Sequence, residues 1–430
     1  MIWASLFTLL GATVFTGAVL GAALGLTGFA ILYFYADGAT QLGVQAVWNV
    51  LNEFTLTAIP LFILLGEILV ASGLATRVYK ALSPAFARVR GGLLHTNIAV
   101  CGLFGAVSGS SLSVAAAVGS VAYPELTRRG YDKRAVLGSL AGGGTLGLLI
   151  PPSLSLLIFG ALTETSIGQL FLAGVFPGLM MAALFMAYIW WSAYRRPERI
   201  PPSTDRLPLG QTLRALFSIW PIVVLIAAVL GSLFAGLATP TESAAVGVAA
   251  AIVLGFAMGD LTIAGLARAF HATAVTFTVI GVVFMGAVVL AQSISILQLP
   301  QKLLEEITAL GISAYVMLLV VVLVYLVLGL FFDGLSMMIM TLPIVFPLLT
   351  GLGFEAVWVG VMVTLMIEVG MLTPPVGMNL FVLVGITRQE ASLSDAAEGA
   401  LPYWILLLVG LSLITLFPVL TTGLPRLAGL

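Results

Sequence analysis

Residues 124–152 read PELTRRGYDKRAVLGSLAGGGTLGLLIPP, and residues 347–375 read PLLTGLGFEAVWVGVMVTLMIEVGMLTPP. Laid on each other without a gap, at an offset of 223, the two stretches share nine identities in 29 positions. Roughly two or three are expected from a composition this biased. The matches include positions that shape a backbone: Pro124 with Pro347, Gly130 with Gly353, Gly147 with Gly370, and Pro151-Pro152 with Pro374-Pro375. With two residues inserted, Gly174 and Pro177 then meet Gly399 and Pro402. A proline in a helix interior removes a hydrogen bond and clashes with the preceding turn, at about 3 kcal/mol or more. Two in a row, after Gly142-Gly143-Gly144 and Gly147, predict a helix unwound at its middle, and the repeat predicts it twice.

The surrounding composition says where such helices sit. Of 430 residues 60% are hydrophobic and only 8% are charged, with a net charge of −1; a soluble domain carries roughly 25% charged residues. Disorder, nucleic-acid binding and a secreted disulfide scaffold are excluded, and the single Cys101 cannot pair within the chain. What remains is an all-α polytopic membrane protein, with room for on the order of ten crossings of about 20 apolar residues. Gly142, Gly144 and Gly147 satisfy G-x-G-x-x-G with Glu164 beyond, but a dinucleotide site needs a preceding strand, and these glycines lie in an apolar span ahead of Pro-Pro. No G-x-x-x-x-G-K-[ST] occurs, so no ATP-binding P-loop is expected.

The few cations are clustered. Arg77, Lys80, Arg88 and Arg90 form one group; Arg128, Arg129, Lys133 and Arg134 a second; Arg195, Arg196, Arg199, Arg206 and Arg214 a third, in a Pro-rich loop over 194–214. The positive-inside rule places all three in the cytoplasm. The first cation is Arg77, so no cleavable signal peptide is read; residues 4–34 are long enough for a first membrane segment. The N-terminus is expected in the cytoplasm and the C-terminus in the periplasm. Residues 91–127 begin and end on one side but are too short for two crossings, so they are expected to dip in and return with Ser108-Gly109-Ser110-Ser111 at the turn. Such a turn must be buried in protein or line a wet cavity. Residues 135–193 hold two crossings, the first broken at Pro151-Pro152. Residues 215–237 and 241–259 make an out-and-back pair, and 268–298 cross outward.

Residues 347–357 carry no cation where their counterparts 124–134 carry four, and Arg388 returns to the inside after the second break. The two halves are therefore expected to run in opposite directions. Inverted repeats with discontinuous helices are the construction of secondary transporters, with sites near the bilayer midplane. The repeat also predicts a second re-entrant hairpin over 313–350, with Phe332-Asp333-Gly334-Leu335-Ser336 at its tip; Ser110 aligns with Asp333 and Ser113 with Ser336. The expected organisation is N-terminal scaffold helices (1–90), a first core (91–193), the loop (194–214), second scaffold helices (215–312), a second core (313–390) and a C-terminal helix (391–430).

Half-helix N-termini present free N–H groups and a positive dipole end, and unwound turns present free carbonyls. A cation set is expected from Ser108, Gly109, Ser110, Gly147, Ile150 and Ser153 in the first half. A second is expected from Asp333, Gly334, Ser336, Gly370, Thr373 and Gly377. No Lys or Arg lies at the expected midplane, so an anionic substrate would be held by helix ends, hydroxyls and amides: Ser110, Ser111, Pro151, Ser153, Thr373, Pro375 and Asn379. A buried charge in a membrane is expensive and usually functional, which singles out Asp333. Glu368 reads equally as ligand, proton site or surface residue. Glu67 reads as a packing or partner contact, and His95 and His271 as interfacial.

Together, Gly91-Gly92, Ser108 to Ser111, Pro124-Glu125, Arg129-Gly130-Tyr131, GLLIPPS at 147–153, LFLAGVFPG at 170–178, AIPLFI at 58–63 and TPPVG at 373–377 resemble the large membrane subunit of tripartite ATP-independent periplasmic (TRAP) transporters, over essentially the whole chain. The resemblance implies an elevator-type transporter, not an enzyme, in a bacterial or archaeal cytoplasmic (inner) membrane. It implies two partners, a small membrane subunit of about four helices and a periplasmic substrate-binding protein. It also implies Na⁺ as coupling ion without an organic cofactor, and carboxylate substrates (dicarboxylates, sialic acids, keto acids, sugar acids). Carried onto this chain, the family's sites are Ser108, Ser110, Ser153, Asp333 and Thr373. No extra N-terminal helices suggest a fusion with the small subunit. Two alternatives stay open: a self-sufficient Na⁺/dicarboxylate symporter of similar architecture, and an intramembrane hydrolase built on Ser110 or Asp333, for which no activating histidine or second Asp is placed.

Overall fold

The fold is taken from a computed structural model of the chain, which describes residues 2–201, 207–387 and 390–429; the cations Arg206 and Arg388 lie outside the described residues. Every regular element among them is helical. The N-terminal part holds α1 (Ile2–Phe15), α2 (Leu20–Tyr35), α3 (Thr40–Leu51), α4 (Ala58–Ala71) and α5 (Leu74–Phe86). The first core follows with α6 (Leu93–Ser108), α7 (Ser111–Arg128), α8 (Lys133–Leu149), α9 (Leu154–Thr163) and α10 (Ile167–Arg195). Then come α11 (Leu209–Phe217), α12 (Trp220–Phe234), α13 (Pro240–Ala257), α14 (Ile263–Ile296) and α15 (Leu299–Ala309). The second core is α16 (Ala314–Leu328), α17 (Gly334–Gly351), α18 (Ala356–Leu372), α19 (Met378–Ile386) and α20 (Leu393–Leu416), closed by α21 (Val419–Leu427). Seven helical spans among the described residues are long and apolar enough to cross a membrane, or eight if the bent pair α11 and α12 counts as one.

Three expectations on elements are corrected. Residues 4–34 are not one segment: the chain turns at Thr16–Val19, where Gly17 has φ +76°, and the hydroxyls of Ser5 and Tyr35 meet at 2.6 Å, so α1 and α2 run antiparallel. The loop over 194–214 already contains the start of α11. The C-terminal segment is two helices, because Pro418 follows the end of α20 and cannot continue it.

The repeat appears element for element. The matched pairs α7 and α17 have 18 residues each, α8 and α18 have 17 each, and both breaks contain a cis Pro-Pro bond. Their opposed direction is visible along α20. At its start, Asp395 binds Lys133 and Arg134 of α8 at 2.7 and 3.0 Å. Near its end, the Ile414 carbonyl accepts from the Trp358 indole N–H of α18 at 3.1 Å. The first turns of α8 and α18 thus lie at opposite ends of one helix of 24 residues, about 36 Å at 1.5 Å per residue.

Helix α8 is buried over almost its whole length because its glycines admit neighbours on every side. A Cβ on Gly138 would stand 2.0 Å from the Gly399 carbonyl oxygen, one on Gly142 would meet the Tyr403 ring, one on Gly143 Cys101, and one on Gly144 Ala115. The G-x-G-x-x-G pattern is thus a packing surface. The same device joins α2 to α14, where Gly21 and Gly28 lie against the backbone of Val282 and Leu290.

Candidate functional site

Both hairpins are present as closely joined helix pairs. In the first, α6 ends at Ser108, Gly109 takes the left-handed conformation (φ +60°), and Ser110 caps α7 by accepting from the Ser113 N–H at 3.4 Å. In the second, Asp333 caps α17, its carboxylate accepting from the N–H groups of Leu335 (3.2 Å) and Ser336 (3.1 Å). The aligned residues Ser110 and Asp333 therefore do the same structural work with different charge. The tip of the first hairpin rests on the first break: a Cβ on Gly109 would stand 2.9 Å from the Leu154 nitrogen and 3.4 Å from the Pro152 carbonyl oxygen. The tip of the second rests on the last turn of α18, where a Cβ on Gly334 would meet Met371 and Ile367.

The prolines at each break free carbonyls. Pro151 and Pro152 have no N–H to return to Gly147 and Leu148. The Leu148 carbonyl is taken instead by the Ser153 hydroxyl, and Ser153 also caps α9 through the Leu156 N–H (3.3 Å). Gly147 keeps no helical donor. On the first hairpin the buried Ser108 hydroxyl oxygen also has no hydrogen-bond partner, and free oxygens of this kind suit a hard cation. In the second break Gly377 has φ +42°, and a Cβ there would stand 2.8 Å from the Met371 and 3.2 Å from the Thr373 carbonyl oxygen. Those carbonyls curl toward one point. The Thr373 hydroxyl donates to the Val369 carbonyl (2.7 Å) and accepts from the Trp404 indole (3.1 Å). Pro151, Pro152 and Ser153 are buried, whereas Pro375 is exposed.

The two tips share a cavity of about 340 Å³, lined by Ser110, Ser111 and Ser113 of the first hairpin and Asp333, Gly334 and Ser336 of the second. Leu112 and Leu335 of the same tips, Leu148 and Met371 from the last turns before the breaks, and Val275, Thr276, Val279 and Ile280 of α14 complete it. Its lining carries one charged side chain, Asp333, and no cation. At the α7 end a neutral hydroxyl takes one N–H and leaves those of Ser111 and Leu112 unengaged by the cap, which favours an anion. At the α17 end a carboxylate covers the helix terminus, which favours a cation.

Of the residues expected to bind substrate, Ser110 and Ser111 line this cavity. Pro151, Ser153, Thr373, Pro375 and Asn379 do not. Of those expected to bind cations, Ser110, Asp333, Gly334 and Ser336 line it, whereas Ser108, Gly109, Gly147, Ile150, Gly370 and Gly377 lie at or behind the breaks and tips. Sequence reasoning missed the α14 wall, Leu148 and Met371: a straight apolar helix carries no signal for which face meets a cavity. Glu368 is fully buried, not a surface residue. His95 is also buried, its ring nitrogen 2.8 Å from the Arg90 carbonyl. Glu67 is half-buried on α4 and does not line the cavity.

Helical spans, paired breaks and a shared interior cavity define a multi-pass membrane transporter. The chain matches the family described as "Tripartite ATP-independent periplasmic transporter, DctM component" over residues 7–420. It belongs to that family, as a TRAP large membrane subunit; large subunits of this family work with a small membrane subunit and a periplasmic binding protein. It is 34% identical to the C4-dicarboxylate TRAP transporter large permease protein DctM of Pseudomonas aeruginosa, over 95% of this chain and 94% of that one. It is 30% identical to the sialic acid TRAP transporter large permease protein SiaM of Vibrio cholerae, over 98% of each, and 28% identical to the ectoine/5-hydroxyectoine large permease protein UehC of Ruegeria pomeroyi, over 95% and 94%. Among solved structures, the YdaH transporter of Alcanivorax borkumensis shares the fold at a TM-score of 0.65 and 16% identity, covering 92% of this chain and 90% of that one.

Proposed function

We propose that this chain is the permease of a Na⁺-coupled uptake system for a carboxylate, delivered by a periplasmic binding protein and moved by an elevator displacement of both hairpins and both broken helices against the remaining helices. The observation that carries the reading is the cavity between the two tips. It joins a helix end with free N–H groups to one covered by Asp333, and it contains no Lys or Arg. An anion held there without a fixed cation draws its charge balance from co-bound ions, so substrate affinity and Na⁺ occupancy rise together. The hydroxyl of Ser108 and the carbonyls at Gly147, Met371 and Thr373 supply oxygens for Na⁺. The hairpins re-enter from opposite faces, and the named substrates of the relatives, C4-dicarboxylates and sialic acid among them, support an acid as cargo.

The test is uptake in proteoliposomes containing this chain, a small membrane subunit and loaded binding protein. Uptake is expected only with all three parts and an inward Na⁺ gradient. Uptake by this chain alone would favour a self-sufficient symporter, and uptake indifferent to the gradient would overturn the coupling.

A further inference from the structure

The Ser111 hydroxyl, at the mouth of the anion-favouring helix end, is already occupied. It accepts from the Asn379 amide at 2.8 Å and donates to a Glu368 carboxylate oxygen at 3.2 Å. All three side chains are buried, Glu368 and Asn379 completely. Asn379 belongs to α19 and Glu368 to α18, so both partners come from the second half while Ser111 belongs to the first hairpin. A carboxylate this deep is expensive, and its remaining oxygen has no hydrogen-bond partner. Packing alone would be served better by a leucine.

The repeat provides an internal control. The counterpart of Ser111 is Gly334, which has no side chain, and the counterpart of Glu368 is Thr145, whose hydroxyl is satisfied within its own helix by the Gly142 carbonyl at 2.6 Å. The tether therefore exists on one side only. The first hairpin is tied at its tip to a carboxylate and an amide of the opposite half; the second hairpin's side-chain link to the first half lies a turn further on and is weaker, the Ser155 hydroxyl donating to the Met338 sulfur at 3.8 Å.

We propose that Glu368 and Asn379 are positioning residues: through the Ser111 hydroxyl they fix the first turn of α7 so that its N–H groups face the cavity. The Ser111 hydroxyl is thereby a tether, and its backbone N–H is the substrate contact. This deepens the transport reading and rests on it, since it assigns a role within the same cavity. It also links the halves: whatever shifts the second break is transmitted by Asn379 and Glu368 to the anion-binding end of the first hairpin.

The test uses the full chain in nanodiscs, with Cys101→Ala removing the native thiol, and needs no substrate. Ser113→Cys reports on the first tip and Ser336→Cys on the second; both wild-type residues line the cavity. Maleimide labelling at 113 is expected to rise about tenfold in Glu368→Ala, as suits loss of a buried hydrogen bond, with labelling at 336 unchanged. Ser111→Ala should give the same rise, and the double variant no more. Glu368→Gln keeps an acceptor for the Ser111 hydroxyl and should restore slow labelling. Equal rises at 113 and 336 would mean general loosening and overturn the assignment, as would no change at 113 or no rescue by Gln. Failure of the uptake assay with intact labelling behaviour would instead strike the transport reading and leave the tether standing.

Discussion

Gly105 and Gly147 meet backbone to backbone: a Cβ on Gly105 would stand 2.7 Å from the Cα of Gly147. The corresponding contact in the second half is closer, with a Cβ on Gly329 only 2.2 Å from the Gly370 carbonyl carbon. In each half the first arm of the hairpin lies on the last turn before the break, and small residues at both points allow it. Gly105→Ala is expected to force α6 away from α8 and to destabilise the chain by about 1–3 kcal/mol, as overpacking does. Thermal unfolding in detergent measures this; an unshifted transition would show that the contact has room to spare.

Asp333 combines a structural and an electrostatic role that two substitutions separate. Asp333→Asn keeps an acceptor for the α17 terminus but removes the charge, and the Na⁺ concentration for half-maximal uptake should rise about tenfold, equivalent to about 1.4 kcal/mol. Asp333→Ala should add loss of the cap, about 1 kcal/mol of stability. Na⁺ curves that superimpose for wild type and Asp333→Asn would remove this residue from cation handling.

Gly377 holds a positive φ inside the second break, and a methyl group there would press on the carbonyls of Met371 and Thr373. Gly377→Ala is expected to cost about 1–3 kcal/mol of backbone strain and to weaken Na⁺ dependence by turning those oxygens apart. Gly385, with no neighbour near its absent Cβ, supplies the control: Gly385→Ala should leave the Na⁺ curve in place.

Asp395 gathers Lys133, Arg134 and the Ser392 backbone N–H around one carboxylate. The cations are about half exposed (44% and 45%) while Asp395 is 9% exposed. Solvent weakens each pair, so Asp395→Asn is expected to lower stability by about 1–2 kcal/mol rather than the larger loss of a fully buried pair. A shift confined to low salt would show that only screened charge is at stake.

The sequence was most legible where the backbone itself is constrained. Pro151-Pro152 and Pro374-Pro375 announce breaks because proline cannot donate, and Asp132, Ser153 and Ser392 announce helix starts because their side chains cap them. The charge groups bounded the first hairpin, and the repeat then located the second. Residues whose role depends on facing were not legible. Thr276 looks like any residue of a long apolar helix, Glu368 acquires its meaning only when Ser111 is brought beside it from 257 positions away, and the turn after α1 is marked by little more than Gly17. Asn379 and Ser111, read from sequence as separate substrate ligands, turn out to bond to each other.

Pro152 is enclosed and its repeat partner Pro375 is open to the surroundings. Two copies of one design, inserted upside down, thus occupy unlike settings at the same moment. On the transport reading proposed above, such a chain encodes its reverse pose without additional sequence: residues 124–152 adopting the setting now held by 347–375, and the converse, would give the arrangement related by a two-fold rotation and facing the other way. Unequal burial of matched prolines would then be a clock hand, and cross-linking that reads which proline is enclosed would test whether the carrier turns from one side to the other.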